Sequence, residues 1–171
     1  AVASGLSTDQ KIFFAAYLGA LSSAFADTLA TEIGLLHPRM PRLITSMKRV
    51  KPGTPGAVTH LGYLGGLIGM TTLTLISSTI DKRLSFYETA IIVYSSGLIG
   101  MTVDSILGAT VQAKYRCRVC GKNTESSIHC GSTAVQIEGV KYINTHTVNL
   151  ISTIIGAIIA ITILNTLNII K

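Results

Sequence analysis

The chain has 171 residues, 48% of them hydrophobic and 13% charged, with a mean hydropathy of +0.52 and a net charge of +6. Water-soluble domains carry about 25% charged residues, so this composition excludes one and specifies a membrane protein. The positive charge calls for no nucleic-acid partner, because its distribution follows the loops of a membrane chain.

Four segments, residues 12–36, 56–80, 86–113 and 148–170, are long and apolar enough to cross about 30 Å of hydrocarbon at roughly 20 residues per helix. Backbone polar groups in lipid must be satisfied internally, which makes helices the natural form. The expected fold is all-α: a polytopic membrane helix bundle forming one integral domain over residues 1–171, with a Cys/His loop at 114–143 on the cytoplasmic side. The first and third loops hold Arg39, Arg42, Lys48, Arg49, Lys51, Lys114, Arg116, Arg118, Lys122 and Lys141, whereas the opposite side has Lys11, Lys82, Arg83 and Lys171. Retention of basic loops on the cytoplasmic side then predicts that both chain ends face away from the cytoplasm. Attraction to anionic head groups adds to that preference. The chain starts at Ala1 without a methionine or a signal-peptide pattern, which predicts a fragment lacking earlier helices.

Helix one is expected to start at a cap on Thr8 or Asp9. It runs through lipid-like Ile12, Phe13, Phe14, Tyr17, Leu18 and Leu21 before small residues take over at Ala20, Ser22, Ser23, Ala24 and Ala26, a composition suited to close packing. Asp27, Thr28, Thr31 and Glu32 then share one face at helical spacing. Carboxylates at that depth are costly unless paired or metal-bound. The structural alternative is an ion pair with the loop that follows.

That loop, with Pro38, Pro41, Pro52 and Pro55 fixing its path, carries five Lys/Arg and an apolar side of Leu43, Ile44, Met47 and Val50, and is expected to lie along the membrane surface. Gly53-Thr54-Pro55-Gly56 is expected to open helix two, where free N–H groups and nearby Lys48 and Arg49 would receive phosphate. Thr54 as cap with Pro55 in the first turn is the purely structural explanation. Gly62, Gly65, Gly66 and Gly69 form a small-residue stripe that predicts tight helix contact, and His60 near the start of the helix could touch a ligand, though a lone histidine there is more often a packing or capping residue. Glu88 is expected to be solvated at the outer edge.

Asp104 lies about as far from the end of helix three as Asp27 does from the end of helix one, so the two reach similar depth at 1.5 Å per residue. Three acids, Asp27, Glu32 and Asp104, gathered at one end would repel one another unless neutralised, and Mg²⁺ suits their hard oxygen ligands. The following loop uses all three cysteines of the chain, Cys117, Cys120 and Cys130, with His129. Reduced cysteines on a cytoplasmic face argue against a disulfide, and four soft ligands suit a closed, structural Zn²⁺ site. Asn144, His146 and Asn149 gather where helix four begins, either completing the polar site or capping the helix.

Several motifs in order resemble the transmembrane protein 19 family, which includes the plant phytyl-phosphate kinases of tocopherol synthesis. They are Asp27-Thr28-x-x-x-Glu32-Ile33-Gly34, Pro41-x-Leu-Ile44-Thr45, Val50-x-Pro-Gly53-Thr54-x-Gly56 and Asp104-Ser105-x-Leu107-Gly108-Ala-Thr110-x-Gln112, together with the Cys117/Cys120/His129-Cys130-Gly131 loop and Val148-Asn149. Family members have further N-terminal helices, and their Asn-Asp pair before Val-Asn reads Thr145-His146 here. The resemblance implies a polytopic prenyl-phosphate kinase, akin to phytol and dolichol kinases and lipid cytidylyltransferases.

The resulting expectation is phosphoryl transfer at the cytoplasmic face from a nucleoside triphosphate to an isoprenoid monophosphate whose tail stays in the lipid bilayer. Asp27, Glu32 and Asp104 would hold Mg²⁺, with Lys48 stabilising charge. Thr28, Thr45, Arg49, Gly53, Thr54, Gly56, Ser105, Gln112 and Asn149 would bind substrate phosphates. Four helices leave room for a homodimer to complete the site. The alternatives are an ion-coupled transporter, whose acids would line a path to both sides, and a non-catalytic membrane scaffold whose zinc knuckle docks a partner.

Overall fold

The computed structural model describes residues 8–170, so Lys171 lies outside the described residues, as does the side chain of the expected cap Thr8. Four long helices, α1 (Thr8–Leu35), α2 (His60–Ile80), α3 (Phe86–Thr110) and α4 (Thr145–Ile170), form the bundle, and each is long and apolar enough to cross a membrane. α1 packs against all three of the others.

Small residues set how close the helices come. The glycine stripe of α2 is buried against α1: a Cβ on Gly65 would stand 2.6 Å from the Leu29 carbonyl oxygen, and one on Gly62 2.8 Å from that of Ala30. α4 crosses α1 at Gly156 and Gly19, where a Cβ on Gly156 would meet the Gly19 oxygen at 2.6 Å. Ser22 and Ser23 satisfy themselves across helices, donating to the Val93 carbonyl at 2.6 Å and the Ser152 carbonyl at 3.0 Å. Such hydrogen bonds and small-residue contacts replace the hydrophobic drive that is missing between helices in lipid.

At the end where α2 passes to α3, Ala15, Leu18, Leu84, Ile92, Ala160 and Leu164 close an apolar cluster, and Arg83 lies 4.9 Å from the centre of the Phe14 ring. Glu88, expected to be solvated there, is instead buried as the third residue of a capping box. Ser85 N–H and Oγ–H both donate to its Oε2 at 2.8 Å. Pairing with the free N–H groups of a helix start is what lets a carboxylate be buried at this position.

The other end carries the longer connections. Between α1 and α2, β1 (Arg42–Leu43) pairs antiparallel with β2 (Ala57–Val58). Gly53 and Gly56 adopt left-handed conformations at φ +78° and +74°, which favour glycine. α2 consequently begins at His60, a turn later than expected, and is capped by Thr59, whose Oγ1 accepts the Gly62 N–H at 2.9 Å. The Gly53–Gly56 turn is thus not a helix N-terminus, and any anion there would depend on side chains and loop amides. α3 ends at Thr110, three residues early, with Ala113 N–H bonded to the Ile143 carbonyl. α4 starts three residues early because Asn144 Oδ1 accepts the Thr147 N–H at 3.0 Å. The Cys/His loop folds as short antiparallel strands, with β3 (Lys114–Arg116) between β4 (Asn123–Thr124) and β7 (Val135–Glu138), and β5 (Ile128–His129) paired with β6 (Ser132–Thr133).

Two predictions follow from these close approaches. Gly156→Leu must push α4 off α1, lowering stability in detergent by about 1–3 kcal/mol, read as a lower thermal midpoint by circular dichroism. Ile158→Leu, on the exposed face of the same helix, should change stability by less than about 0.5 kcal/mol. Gly56→Ala combines a left-handed φ with a clash against the Ser105 carbonyl and Ala109 of α3. It should release the loop and speed tryptic cleavage at Lys48 and Arg49.

Candidate functional site

A cavity of about 380 Å³ lies at the end of the bundle that bears the long loops, between α1, α3, the start of α4 and the α1–α2 connection. One helical face of α1 presents Asp27, Thr28, Thr31 and Glu32 to it, as the 3.6-residue period requires. α3 supplies Asp104 and Ser105, and Gln112 follows just beyond its end. Asp27 and Asp104 are half-buried and close enough for their charges to interact. Glu32 is exposed at the rim.

α4 orients the Asp104 carboxylate. Ser152 Oγ donates to Asp104 Oδ2 at 3.0 Å, and the Asn149 side-chain nitrogen, with the amide turned to face its acceptors, donates to Asp104 Oδ2 at 3.1 Å and to the Thr145 carbonyl at 3.0 Å. Ser152 follows Asn149 by three residues and Asn149 follows Thr145 by four, so one face of α4 carries the whole set. That spacing was the signal by which Ser152 could have been found.

Of the residues singled out in the sequence, Asp27, Thr28, Glu32, Gly53, Thr54, Gly56, Asp104, Ser105, Gln112 and Asn149 line this cavity. Thr45, Lys48 and Arg49 do not line it; they are exposed on the far side of the β1–β2 turn, where the chain reverses through Met47 at φ 56°. The basic residues that line the cavity are Arg39 and His37, the backbone N–H of Arg39 donating to His37 Nδ1 at 3.0 Å. Among the described residues the ion pairs are Arg83–Asp81 and Lys114–Glu138, so no ion pair joins Asp27 or Glu32 to the loop that follows α1. His60 and His146 are exposed and stand outside the cavity, and Asn144 serves as the cap of α4.

Sequence reading missed Glu125. It sits in the Cys/His loop yet lines the same cavity, its Oε2 accepting the Thr145 hydroxyl, which in turn accepts Gln112 Nε2 at 3.0 Å. A lone acid in a polar loop carries no periodic or motif signal.

The Cys/His cluster forms a separate centre. Cys117 and Cys120 lie on the turn between β3 and β4, His129 ends β5 and Cys130 opens the turn to β6; their ligand atoms all fall within 4.8 Å of one another. Consecutive strand residues normally point to opposite faces. The left-handed φ of 52° at Cys130 breaks that alternation and brings His129 and Cys130 to the same side. Backbone N–H groups of Val119 and Cys120 point at Cys117 Sγ, at 3.3 and 3.5 Å. The Cys120 amide is the main reason the Cys117 thiol is held down to about 6, whereas hydrogen bonding with Cys120 pushes Cys130 up to about 11. Three thiols packed this tightly cannot all ionise without a cation among them, so the donor set fits a soft dication.

Comparison with known proteins agrees with this membrane architecture. The family model "Integral membrane protein DUF92" matches residues 2–157. An uncharacterized membrane protein of Methanocaldococcus jannaschii is 42% identical over 53 residues, covering 31% of this chain and 22% of that protein. Protein PGR of Arabidopsis thaliana is 39% identical over 74 residues, or 41% of this chain and 26% of its own length. The chloroplastic protein VTE6 of Arabidopsis thaliana is 26% identical over 151 residues, or 88% of this chain and 38% of its own length. The matched stretches thus span well under half of these relatives. No solved structure matches. With a family model covering nearly all of its length and four helices able to span a membrane, the chain belongs to the integral membrane family DUF92.

Proposed function

We propose that the protein is a membrane-embedded prenyl-phosphate kinase, transferring a phosphoryl group from a nucleoside triphosphate to an isoprenoid monophosphate. The single observation that carries the reading is that Asp27, Glu32 and Asp104 line one cavity with Arg39 and the Gly53–Gly56 turn, at the level where membrane helices give way to loops. An acceptor with an apolar tail and an anionic head needs that boundary: hydrocarbon between helices for the tail, and water with cationic groups for the phosphate. The family resemblance in the motifs around these same residues supports the reaction class.

The acceptor phosphate is already an anion near neutral pH, so no general base is needed. One of its oxygens attacks the γ-phosphorus, the bond from that phosphorus to the β–γ bridging oxygen breaks, and the products are an isoprenoid diphosphate and a nucleoside diphosphate. Catalysis then consists of alignment and charge stabilisation. Mg²⁺, where bound, supplies neutralisation and orientation of the phosphate oxygens. Asp27 and Asp104, whose charges interact, offer hard oxygens that would hold that ion, while Glu32 stands apart at the rim; Ser152 and Asn149 hold Asp104 in place. Arg39 and His37 would pair with phosphate at the mouth, the amides of the Gly53–Gly56 turn would approach it closely, and Thr28, Ser105 and Gln112 would complete its hydrogen bonds. Lys48 and Arg49, off the cavity, would contribute long-range attraction. In this reading the basic loops face the cytoplasm, the ends of this chain face the other side, and the Cys/His loop carries a structural Zn²⁺ remote from the reacting atoms. A transporter would need a polar path continuing through the bundle, but beyond the acids and the buried serines Ser22, Ser23 and Ser96 the interior is closed by the apolar cluster around Leu18, Leu84, Ile92 and Leu164.

Membranes containing the protein as its gene encodes it, supplied with prenyl monophosphates and ATP or CTP, should form prenyl diphosphates in a Mg²⁺-dependent manner; no transfer with any pairing would refute the reading. Asp27→Asn and Asp104→Asn should each lower kcat/KM by about a hundredfold or more. Arg39→Ala should raise the KM for a phosphate substrate by about tenfold. Lys48→Ala, an exposed cation, should cost less than about threefold.

A further inference from the structure

The loop from residue 114 to 143 has too little core to hold itself. Among the described residues its buried apolar side chains are Cys117 and Ala134. Units of this size need a staple such as a metal to keep one conformation. Yet the loop places Glu125 with some precision: its carboxylate accepts the Thr145 hydroxyl at the first turn of α4 and lines the cavity that holds Asp27 and Asp104. Glu125 is also near enough to Asp104 for their charges to interact.

Glu125 follows β4 and precedes β5, midway between the two turns that present Cys117 with Cys120 and His129 with Cys130. Joining those turns ties off the ends of the segment carrying it. Local hydrogen bonds then shape the interior, the Ser126 N–H donating to Thr124 Oγ1 at 3.1 Å and Ser126 Oγ to the Ile128 carbonyl at 2.8 Å.

We propose that a zinc-class dication bound by Cys117, Cys120, His129 and Cys130 is the fastener that holds Glu125 against Thr145, and that Glu125 is a loop-borne acid of the membrane site. The four metal ligands are positioning residues: the ion acts on the cavity only through where it puts Glu125. With both turns joined, Glu125 adds a carboxylate from the aqueous side to the two delivered by α1 and α3. Once the turns separate, the segment swings away and Thr145 is left to Gln112 and solvent. The role of Glu125 as an acid for the Mg²⁺ site rests on the phosphoryl-transfer reading, whereas the metal and the placement of Glu125 do not.

The full chain, purified in detergent, should hold one zinc per chain by elemental analysis and lose it on treatment with a strong chelator or in Cys120→Ser. Hydrogen exchange at residues 123–128 and 145–149 should quicken about tenfold on chelation and slow again when zinc is returned. Reversal in the unmutated chain separates loss of the fastener from misfolding of a variant. Mn²⁺ binding, followed by electron paramagnetic resonance in the absence of substrate, should weaken by about tenfold in chelated wild type and equally in zinc-loaded Glu125→Gln, with no further loss when Glu125→Gln is also chelated. Failure to retain zinc, or exchange indifferent to chelation, would overturn the fastener. Unchanged Mn²⁺ binding in Glu125→Gln would overturn the role of Glu125. If zinc-loaded wild type binds no Mn²⁺ at all, the magnesium reading and the role of Glu125 in it both fall, while zinc content and exchange still decide the fastener.

Discussion

Helix backbones brought into contact are the constraint on which the rest of the molecule depends. α1 touches α2 through Gly62, Gly65, Gly66 and Gly69, and α4 through Gly19 and Gly156, while a Cβ on Gly100 of α3 would run into Ser23. Lipid offers no hydrophobic reward for bringing helices together, so contact comes from shape and from hydrogen bonds such as those of Ser22 and Ser23. Because α1 sits against all three partners, its polar face has nowhere to point except toward α3, α4 and the loop capping them. Asp27 meets Asp104 for that reason.

The two ends of the bundle are built for different tasks from the same helices. One is closed by a short turn, an apolar cluster and a capping box in which Glu88 accepts from the backbone and hydroxyl of Ser85. The other splays into two long connections and leaves acids lining a cavity rather than caps. Glu88 is engaged by Ser85 at the start of its own helix, whereas Asp104 is held at Oδ2 by Ser152 and Asn149 from another helix, on the wall of the cavity.

Much of this was legible before any coordinates. Span number and the small-residue faces are periodic signals, legible because a helix repeats every 3.6 residues whatever surrounds it, and the Cys/His cluster is legible from its spacing. The start of α2 was misjudged at Gly56 because Pro and Gly punctuate turns and helix starts alike. Only the pairing of Arg42–Leu43 with Ala57–Val58, a contact across more than a dozen residues, decides for the turn. Glu88 was misread for a related reason: the capping box Ser85-x-x-Glu88 was present in the chain, but an acid near a membrane edge looks solvated until its N–H partners are counted.

By itself, then, the amino-acid sequence determined the class of the protein, the number of its spans and which helix faces are polar, since hydrophobicity and periodicity are local properties of the chain. The tertiary structure alone decided which charged groups meet. It chose Arg39 over Lys48 and Arg49 to line the cavity of the acids, and it brought Glu125 across from the Cys/His loop to Thr145. Those choices depend on left-handed turns at Met47, Gly53, Gly56 and Cys130 and on where two loops fold back over the bundle. Side-chain proximity between residues far apart in the chain is set by such reversals, and no window of neighbouring residues records it.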